Sequence, residues 1–534
     1  MEVDWQPSQD FTRICYFKII IMLKAVSSKS PNALLVSLLF GLISFIFLYS
    51  AYTSAGYDDE FYNIRLVREM SLLNMIQLLQ SEDLHPPLSY IINYLLFHLT
   101  DSWNLVRVGS ALFFLAALGY WTKQLPSNKA KIWGLILLGF NPTILMWVVG
   151  IRWYAYMVPL VLILSVLPNC NKWYYWPKFF LILLMIWFLG YIGFFLAIPY
   201  FFYYWLNDTA NWKKKIKIII PLGIAFVLAY AYQAYIFLTV HSKMDLTKTN
   251  NQQVFDLKSS LSYYFSSVFS NQGVFPISLG GLLSIAGSLL LYGSLLFMFK
   301  ELRKKYDWMI FALLSILFLA SGIAGKVRNL VLLEPSRNRM LLELINSKKK
   351  ITWLGFLLVI VGNGIGIYNI LNQSGTTKNA LNIPVKKTMN FLVNLEQKGA
   401  NEIYFTHHPT FDYHLITQQK KVVSFYNSLY FDSVYFKTTN VADLQNNLSA
   451  QSHNFTFILN YKGRSITQEH FDEMLNAMKQ IKADTIKRFY LDKDPEYAIR
   501  RKLFPDYPEY TTVVIKYFGV KGNIADLSVW EKNQ

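Results

Sequence analysis

Apolar residues along this chain come in long blocks rather than in alternation. The runs lie at Ala33–Tyr52, Leu105–Trp121, Ile132–Val149, Met157–Leu167, Phe179–Leu206, Ile216–Val240, Leu279–Phe299, Trp308–Ala320 and Ile351–Ile370. About 20 apolar residues in a helix cross the hydrocarbon core of a bilayer. Several runs reach that length and the shorter ones need a partner turn, so the pattern predicts roughly ten to twelve spans. Thr53–Asn104 interrupts the blocks with Asp58, Asp59, Glu60, Arg65, Arg68, Glu69, Glu82, Asp83 and His85, too polar for membrane core. Inside it, Phe61–Leu79 sets Phe61, Ile64, Val67, Leu72 and Ile76 at near-helical spacing, and Leu88–Leu99 is short and aromatic-rich. Both read as helices lying in the interface plane.

From about Asn372 the pattern changes. Short apolar pieces appear at Glu402–Thr406, Val422–Tyr426, Phe455–Leu459, Ile486–Leu491 and Thr511–Tyr517, with a helical pattern at Thr467–Ile481. Strands alternating with helices predict a small α/β domain. The expected organisation is a membrane domain over residues 1–371, whose first loop is 53–104, followed by a soluble α/β domain over 372–534.

Charge fixes the register. Basic clusters at Lys123/Lys129/Lys131, Lys213–Lys217 and Lys300–Lys305 fall between apolar runs, the signature of cytoplasmic loops. With Leu88–Leu99 kept outside, every one of these clusters lies inside, and Phe179–Leu206 becomes a hairpin turning near Gly190–Gly193. Gly325–Lys350 is basic and accommodates a short or re-entrant span around Asn329–Ile345. The net charge of +18 is therefore a matter of topology, not of nucleic-acid binding. Only 16% of residues are charged and 53% are hydrophobic, against roughly 25% charged in a soluble domain. Cys15 and Cys170, the two cysteines, both fall on the cytoplasmic side, where no disulfide is expected.

Three groups could carry chemistry. Asp58, Asp59 and Glu60 stand side by side just past the first run; a solvated loop explains them, but a carboxylate there can also take a proton from an acceptor or orient a metal. His85 precedes Pro86 and Pro87, which by themselves mark only a helix start. Arg107, Arg152, Arg337 and Arg339 sit near span ends, where arginine usually anchors by snorkelling. Arg107 and Arg152 fall on the outer face, which the positive-inside rule disfavours, and guanidinium suits phosphate through bidentate hydrogen bonds. In the C-terminal part, His407, His408, Asp412 and His414 match no standard zinc spacing and read as a loop after a strand.

Together these pieces resemble the GT-C glycosyltransferase superfamily, in its protein O-mannosyltransferase and lipid A aminoarabinose transferase branch. The residues that carry the resemblance are Asp59-Glu60 with Tyr62 and Arg65, then His85-Pro86-Pro87-Leu88, Leu105-Val106-Arg107, and Arg152-Trp153-Tyr154. They cover Ala33–Leu206 well and the rest in outline; the branch's later arginine-tyrosine motif is met only by Arg337-Asn338-Arg339-Met340, without the tyrosine. The resemblance implies a polytopic α-helical GT-C-like fold and a membrane glycosyltransferase. Its donor would be a polyprenyl-phosphate sugar, and its acceptor a protein, lipid or glycan. It also implies a bacterial inner (plasma) membrane location, with the site and the C-terminal domain outside the cytoplasm. By it Asp59 is the catalytic base of an inverting transfer, with Glu60 beside it and Asp58 as substitute. His85 and the arginines Arg107, Arg152, Arg337 and Arg339 lie toward the carrier phosphate. The cofactor stays open: a divalent metal at the carboxylates is one reading, but no ligand set is assigned. A transporter or lipid flippase is the rival, disfavoured by spans nearly free of charge.

Overall fold

The structure is a computed structural model. It describes residues 31–371 apart from 54–57, 82–85, 168–174, 191, 208–211, 244–260, 262–263, 266–267, 272–277, 299–306, 321–326 and 347–348. Beyond 371 it describes five strands and a few helical residues, at 388–389, 391–392 and 476. Cys15, Cys170, His85 and the His407–His414 group lie outside the described residues. Two compact units are present: one comprises Asn63–Thr377 with the first helix, the other Lys378–Gln534 with Ala55–Tyr62.

The first unit is helical. It opens with α1 (Pro31–Thr53), α2 (Asp58–Glu69, from Asn63 on), α3 (Leu72–Ser81), α4 (Leu88–Thr100) and α5 (Trp103–Gln124). Next come α6 (Asn128–Gly134), α7 (Pro142–Val148), α8 (Trp153–Leu164), α9 (Tyr175–Leu189), α10 (Gly193–Asn207) and α11 (Trp212–Lys243). The series ends with α12 (Leu279–Phe297), α13 (Asp307–Ala320), α14 (Val327–Leu330), α15 (Glu334–Leu342) and α16 (Lys350–Leu371). Among the described residues, helices α1, α5, α12 and α16 are long and apolar enough to cross a membrane, and the bent pair α6–α7 has the composition of a broken span or a re-entrant loop. Their outward faces carry Leu35, Leu38 and Leu42 on α1, Leu282 and Leu289 on α12, and Leu354 and Leu357 on α16, all exposed. A surface of that composition is stable against lipid and not against water; the protein is an integral membrane protein.

Local chemistry explains where the helices stop. Ile132–Val149, expected as one span, is broken: a π-helical turn over Leu135–Gly139 leads to a bend of 63° before α7. Pro142 has no N–H to continue the ladder, and Asn141 caps the new helix through its side-chain oxygen, which accepts from Thr143 N at 2.9 Å and Ile144 N at 3.2 Å. The expected single piece Phe61–Leu79 likewise splits into α2 and α3. Ser71 is the reason, since its hydroxyl accepts from Asn74 N at 3.3 Å and starts a second helix. Helix α9 ends at Leu189 and α10 begins at Gly193, so a helix break falls where the sequence places a turn.

Small residues let the spans meet. Along α12, Gly280, Ser284 and Gly287 face Gly355, Val359 and Gly362 of α16 so closely that a Cβ on Gly287 would lie 2.6 Å from Gly355 O. Polar bonds cross the same seam: Thr352 Oγ1 donates to Ser294 Oγ at 2.9 Å, and Ser284 Oγ donates to Asn363 Oδ1 at 3.5 Å. In lipid, close backbone approach and interhelical hydrogen bonds drive association, because burying apolar area gains little there.

The second unit contains a five-stranded sheet: β1 (Ile403–Thr406), β2 (Lys421–Ser424), β3 (Phe455–Asn460), β4 (Asp484–Tyr490) and β5 (Tyr510–Tyr517). Its order is β2-β1-β3-β5-β4. Strand β1 runs parallel to β2 and β3, whereas β5 runs antiparallel to β3 and β4. All five strands coincide with apolar pieces read from the sequence.

Candidate active site

The turn between α7 and α8 gathers the polar side chains that matter most. When α7 ends at Val148 its last carbonyls lose their helical partners, and Ser110 of α5 answers them. Its Oγ lies 3.2 Å from Val148 O, 3.0 Å from Gly150 O and 2.8 Å from Arg107 O, so one hydroxyl proton is shared among three acceptors. One residue on, Ile151 O accepts from Asn63 Nδ2 of α2 at 2.9 Å and from Asn93 Nδ2 of α4 at 2.6 Å. Tyr156, in the first turn of α8, donates its hydroxyl to Asn93 Oδ1 at 2.5 Å. Asn63, Asn93, Ser110, Ile151 and Tyr156 are all buried. Four helices thus hold one short piece of irregular backbone.

That backbone carries Arg152, the N-cap of α8, in an extended conformation (φ −105°, ψ 166°). Arg152 is buried, and so is Arg107, whose Nη1 lies 3.4 Å from Asn104 Oδ1. Ser110, one turn beyond Arg107, ties it to the same turn. Aromatic rings surround the place: Trp147 and Tyr154 meet edge to face with centroids 5.1 Å apart, and Phe97 stacks on Trp103 at 4.3 Å. Two guanidinium groups in such low-dielectric surroundings attract an anion far more strongly than they would in water.

The remaining expected residues are distributed differently. Asp58, Asp59 and Glu60 form the first turn of α2, where the helix dipole favours negative charge. Glu60 is buried, while the side chains of Asp58 and Asp59 lie outside the described residues. Arg337 is engaged elsewhere through its two terminal nitrogens. It pairs with Glu334 at 3.2 Å and donates to Asn271 Oδ1 at 2.6 Å and to Val268 O. Arg339 donates to Ser165 O at the C-terminal end of α8 and to Tyr203 OH at 3.1 Å. Arg152 and Arg339 thus stand at opposite ends of a 12-residue helix, about 18 Å apart by its rise. Ser110 links the backbone of Arg107 to the turn that precedes Arg152, while Arg339 lies at the far end of α8.

Around Glu334 lies a second polar cluster. Its Oε2 also accepts from Asn141 Nδ2 at 2.7 Å and from Asn338 Nδ2 at 3.2 Å. The chain continues from Arg337 through Asn271 to Asn363, so the break in the α6–α7 span, α15 and α16 are linked by buried polar bonds. Beside Met340 of α15, a cavity of about 330 Å³ is lined by Tyr264, Phe265, Phe269, Tyr292 and Trp308 and suits apolar matter only. Among the described residues no group of three or more His, Cys, Asp or Glu is placed to hold a metal ion.

Asn63, Asn93, Ser110, Tyr156 and Glu334 were not singled out from the sequence. One signal was legible: Asn93 interrupts the apolar face of Leu88–Leu99, and polar residues in such segments usually bond to backbone or to each other.

No protein-family model matches the sequence, and no curated protein sequence matches it. Solved structures do. The apo crystal structure of ArnT from Cupriavidus metallidurans aligns with a TM-score of 0.51 at 9% identity, over 92% of this chain and 98% of that one. A second crystal structure of the same protein, bound to undecaprenyl phosphate, aligns with a TM-score of 0.45 at 10% identity, over 90% and 97%. At such identity the likeness is one of fold alone.

Proposed function

We propose that this protein is a membrane glycosyltransferase that moves a sugar from a polyprenyl-phosphate carrier to a protein, lipid or glycan acceptor. The observation that carries the proposal is the pair of buried arginines, Arg107 and Arg152, tied to one clamped turn in a fold like that of ArnT. With the basic loops inside, the turn faces the extracytoplasmic side of a bacterial inner membrane. The shorter apolar helices complete ten to twelve spans, and the sheet-bearing unit is a soluble α/β domain on that same outer side.

The chemistry is a single displacement with inversion. The acceptor hydroxyl or amine attacks the anomeric carbon while the bond to the carrier phosphate breaks, its electron pair leaving with the phosphate. Asp59 takes the acceptor's proton as the new bond forms, a contribution of roughly 10²–10⁴-fold. Arg107, Arg152 and His85 stabilise the departing charge; Glu60 assists at the acceptor or a divalent cation, and Asp58 is the substitute base. Arg337 and Arg339, sequestered by Glu334 and by the end of α8, hold helices rather than phosphate.

A synthetic polyprenyl-phosphate sugar in detergent tests this. Asp59→Asn keeps the side-chain volume, so the variant should fold, bind donor and lose nearly all turnover. Turnover kept in Asp59→Asn and lost in Asp58→Asn would move the base by one residue; turnover kept in both would sink the chemistry. A transporter or flippase is the second reading, favoured by the buried Glu334–Arg337 pair beside the bent α6–α7 pair. It requires carrier movement across sealed vesicles without sugar transfer.

A further inference from the structure

We infer that Asn63 and Asn93 are positioning residues that aim Arg152 at the donor phosphate; the inference rests on the phosphate role proposed above for Arg152. Two carboxamides from different helices donate to a single carbonyl, Ile151 O, at 2.9 and 2.6 Å. The carbonyl of Ile151 and the N–H of Arg152 belong to one planar peptide group. Fixing that oxygen from two directions fixes the plane, and with it the Cα from which the Arg152 side chain departs. Arg152 is the N-cap of α8 with an extended backbone, so this peptide lies outside the helical ladder.

Tyr156 sets the sense of the clamp. A carboxamide can present either its oxygen or its nitrogen, and the network decides which. By donating to Asn93 Oδ1 at 2.5 Å, the Tyr156 hydroxyl turns Nδ2 toward Ile151 O. Tyr156 lies four residues after Arg152, one turn along α8, so the helix that carries the arginine also orients the group that holds it. If Asn63 and Asn93 served only to satisfy a buried carbonyl, one donor would suffice, since carbonyls with a single partner are common in protein interiors. A second donor from a separate helix adds direction.

The test uses the full-length protein in detergent, with polyprenyl phosphate as binding probe and a polyprenyl-phosphate sugar as substrate. Asn63→Ala and Asn93→Ala should each weaken polyprenyl-phosphate binding about two- to tenfold, the range for one lost hydrogen bond. The double variant should fall below the product of the two, to the level of Arg152→Ala, with kcat reduced as well because Arg152 also stabilises the departing charge. Backbone amides at 152–156 should then exchange faster with deuterium. Donor affinity at the wild-type level in the double variant, or a fall in kcat with KM unchanged, would overturn the inference. Should the double variant not fold, Tyr156→Phe opens no cavity and should raise KM about two- to fivefold; a wild-type KM there would overturn it equally. If Arg152→Ala itself binds polyprenyl phosphate like wild type, the phosphate role fails and takes the inference with it, an outcome distinct from failure of the clamp alone.

Discussion

Removing the Glu334 carboxylate should damage the helical unit more than any other single side-chain change near α15. Glu334 and Arg337 are each 1% exposed and 3.2 Å apart. Glu334→Leu leaves the Arg337 guanidinium with only the neutral partners Asn271 and Val268 O. Leaving one charge of a buried pair without its partner costs about 3–5 kcal/mol, and Asn141 Nδ2 loses its acceptor as well, worth about 1–3 kcal/mol. One kcal/mol moves the unfolding midpoint by roughly 2–4 °C in a domain of 150–250 residues and by less in a larger one. The midpoint should therefore fall on the order of 5–10 °C, read as the loss of monodisperse protein in detergent after heating. The informative comparison is Glu334→Leu with Arg337→Met. It removes both charges, leaves only neutral amides short of partners, and should melt above Glu334→Leu alone. A double variant that melts lower than either single one would refute the claim that an uncompensated charge dominates the cost.

The α12–α16 seam predicts a contrast between glycines. Gly287→Ala pushes a methyl against Gly355 O and Val359 N, backbone atoms that cannot swing aside, and should destabilise by about 1–3 kcal/mol. Gly293→Ala and Gly364→Ala meet nothing within 4 Å and should be neutral or gain up to about 1 kcal/mol of helix propensity; equal midpoints for all three would contradict the close approach. For topology, a cysteine at Ser102, the N-cap of α5, should react with an impermeant probe only from outside. Reaction only from the cytoplasm would invert the register.

How much of this was legible depends on whether the deciding force was local. The five strands could be read because each is a short apolar piece bounded by polar residues, and that pattern is the cause of the sheet. The α9–α10 turn could be read from its glycines. The α2–α3 break was hidden because Phe61–Leu79 keeps an apolar face at helical spacing through it; only Ser71, an N-cap in the middle of a periodic stretch, gives it away. The bend before Pro142 carried an open signal, Asn followed by Pro, which the continuous apolarity of Ile132–Val149 outweighed. The clamp on Ile151 was not legible, for a physical reason: its donors come from positions 58 and 88 residues away in sequence. No spacing rule links them, and each alone is an asparagine on a helix.

Arg337 and Arg339 teach the complementary lesson. Both read as phosphate ligands from their place near a span end and from the resemblance, neither of which draws attention to the acid nearby, Glu334. Placed in three dimensions, that acid also narrows the search for a catalytic base. A general base needs a lone pair free to receive a proton from an acceptor that reaches it. Glu334 is buried and accepts from Asn141, Asn338 and Arg337 at once, so its oxygen is already committed to stabilising donors within the bundle. A carboxylate held in that way suits the joining of helices rather than proton transfer to a substrate. The acids at the start of α2 differ in kind: three follow one another at a helix N-terminus, where the helix dipole stabilises negative charge. That difference in how the negative charge is supported is the physical ground for seeking the base at Asp59 and the scaffold at Glu334.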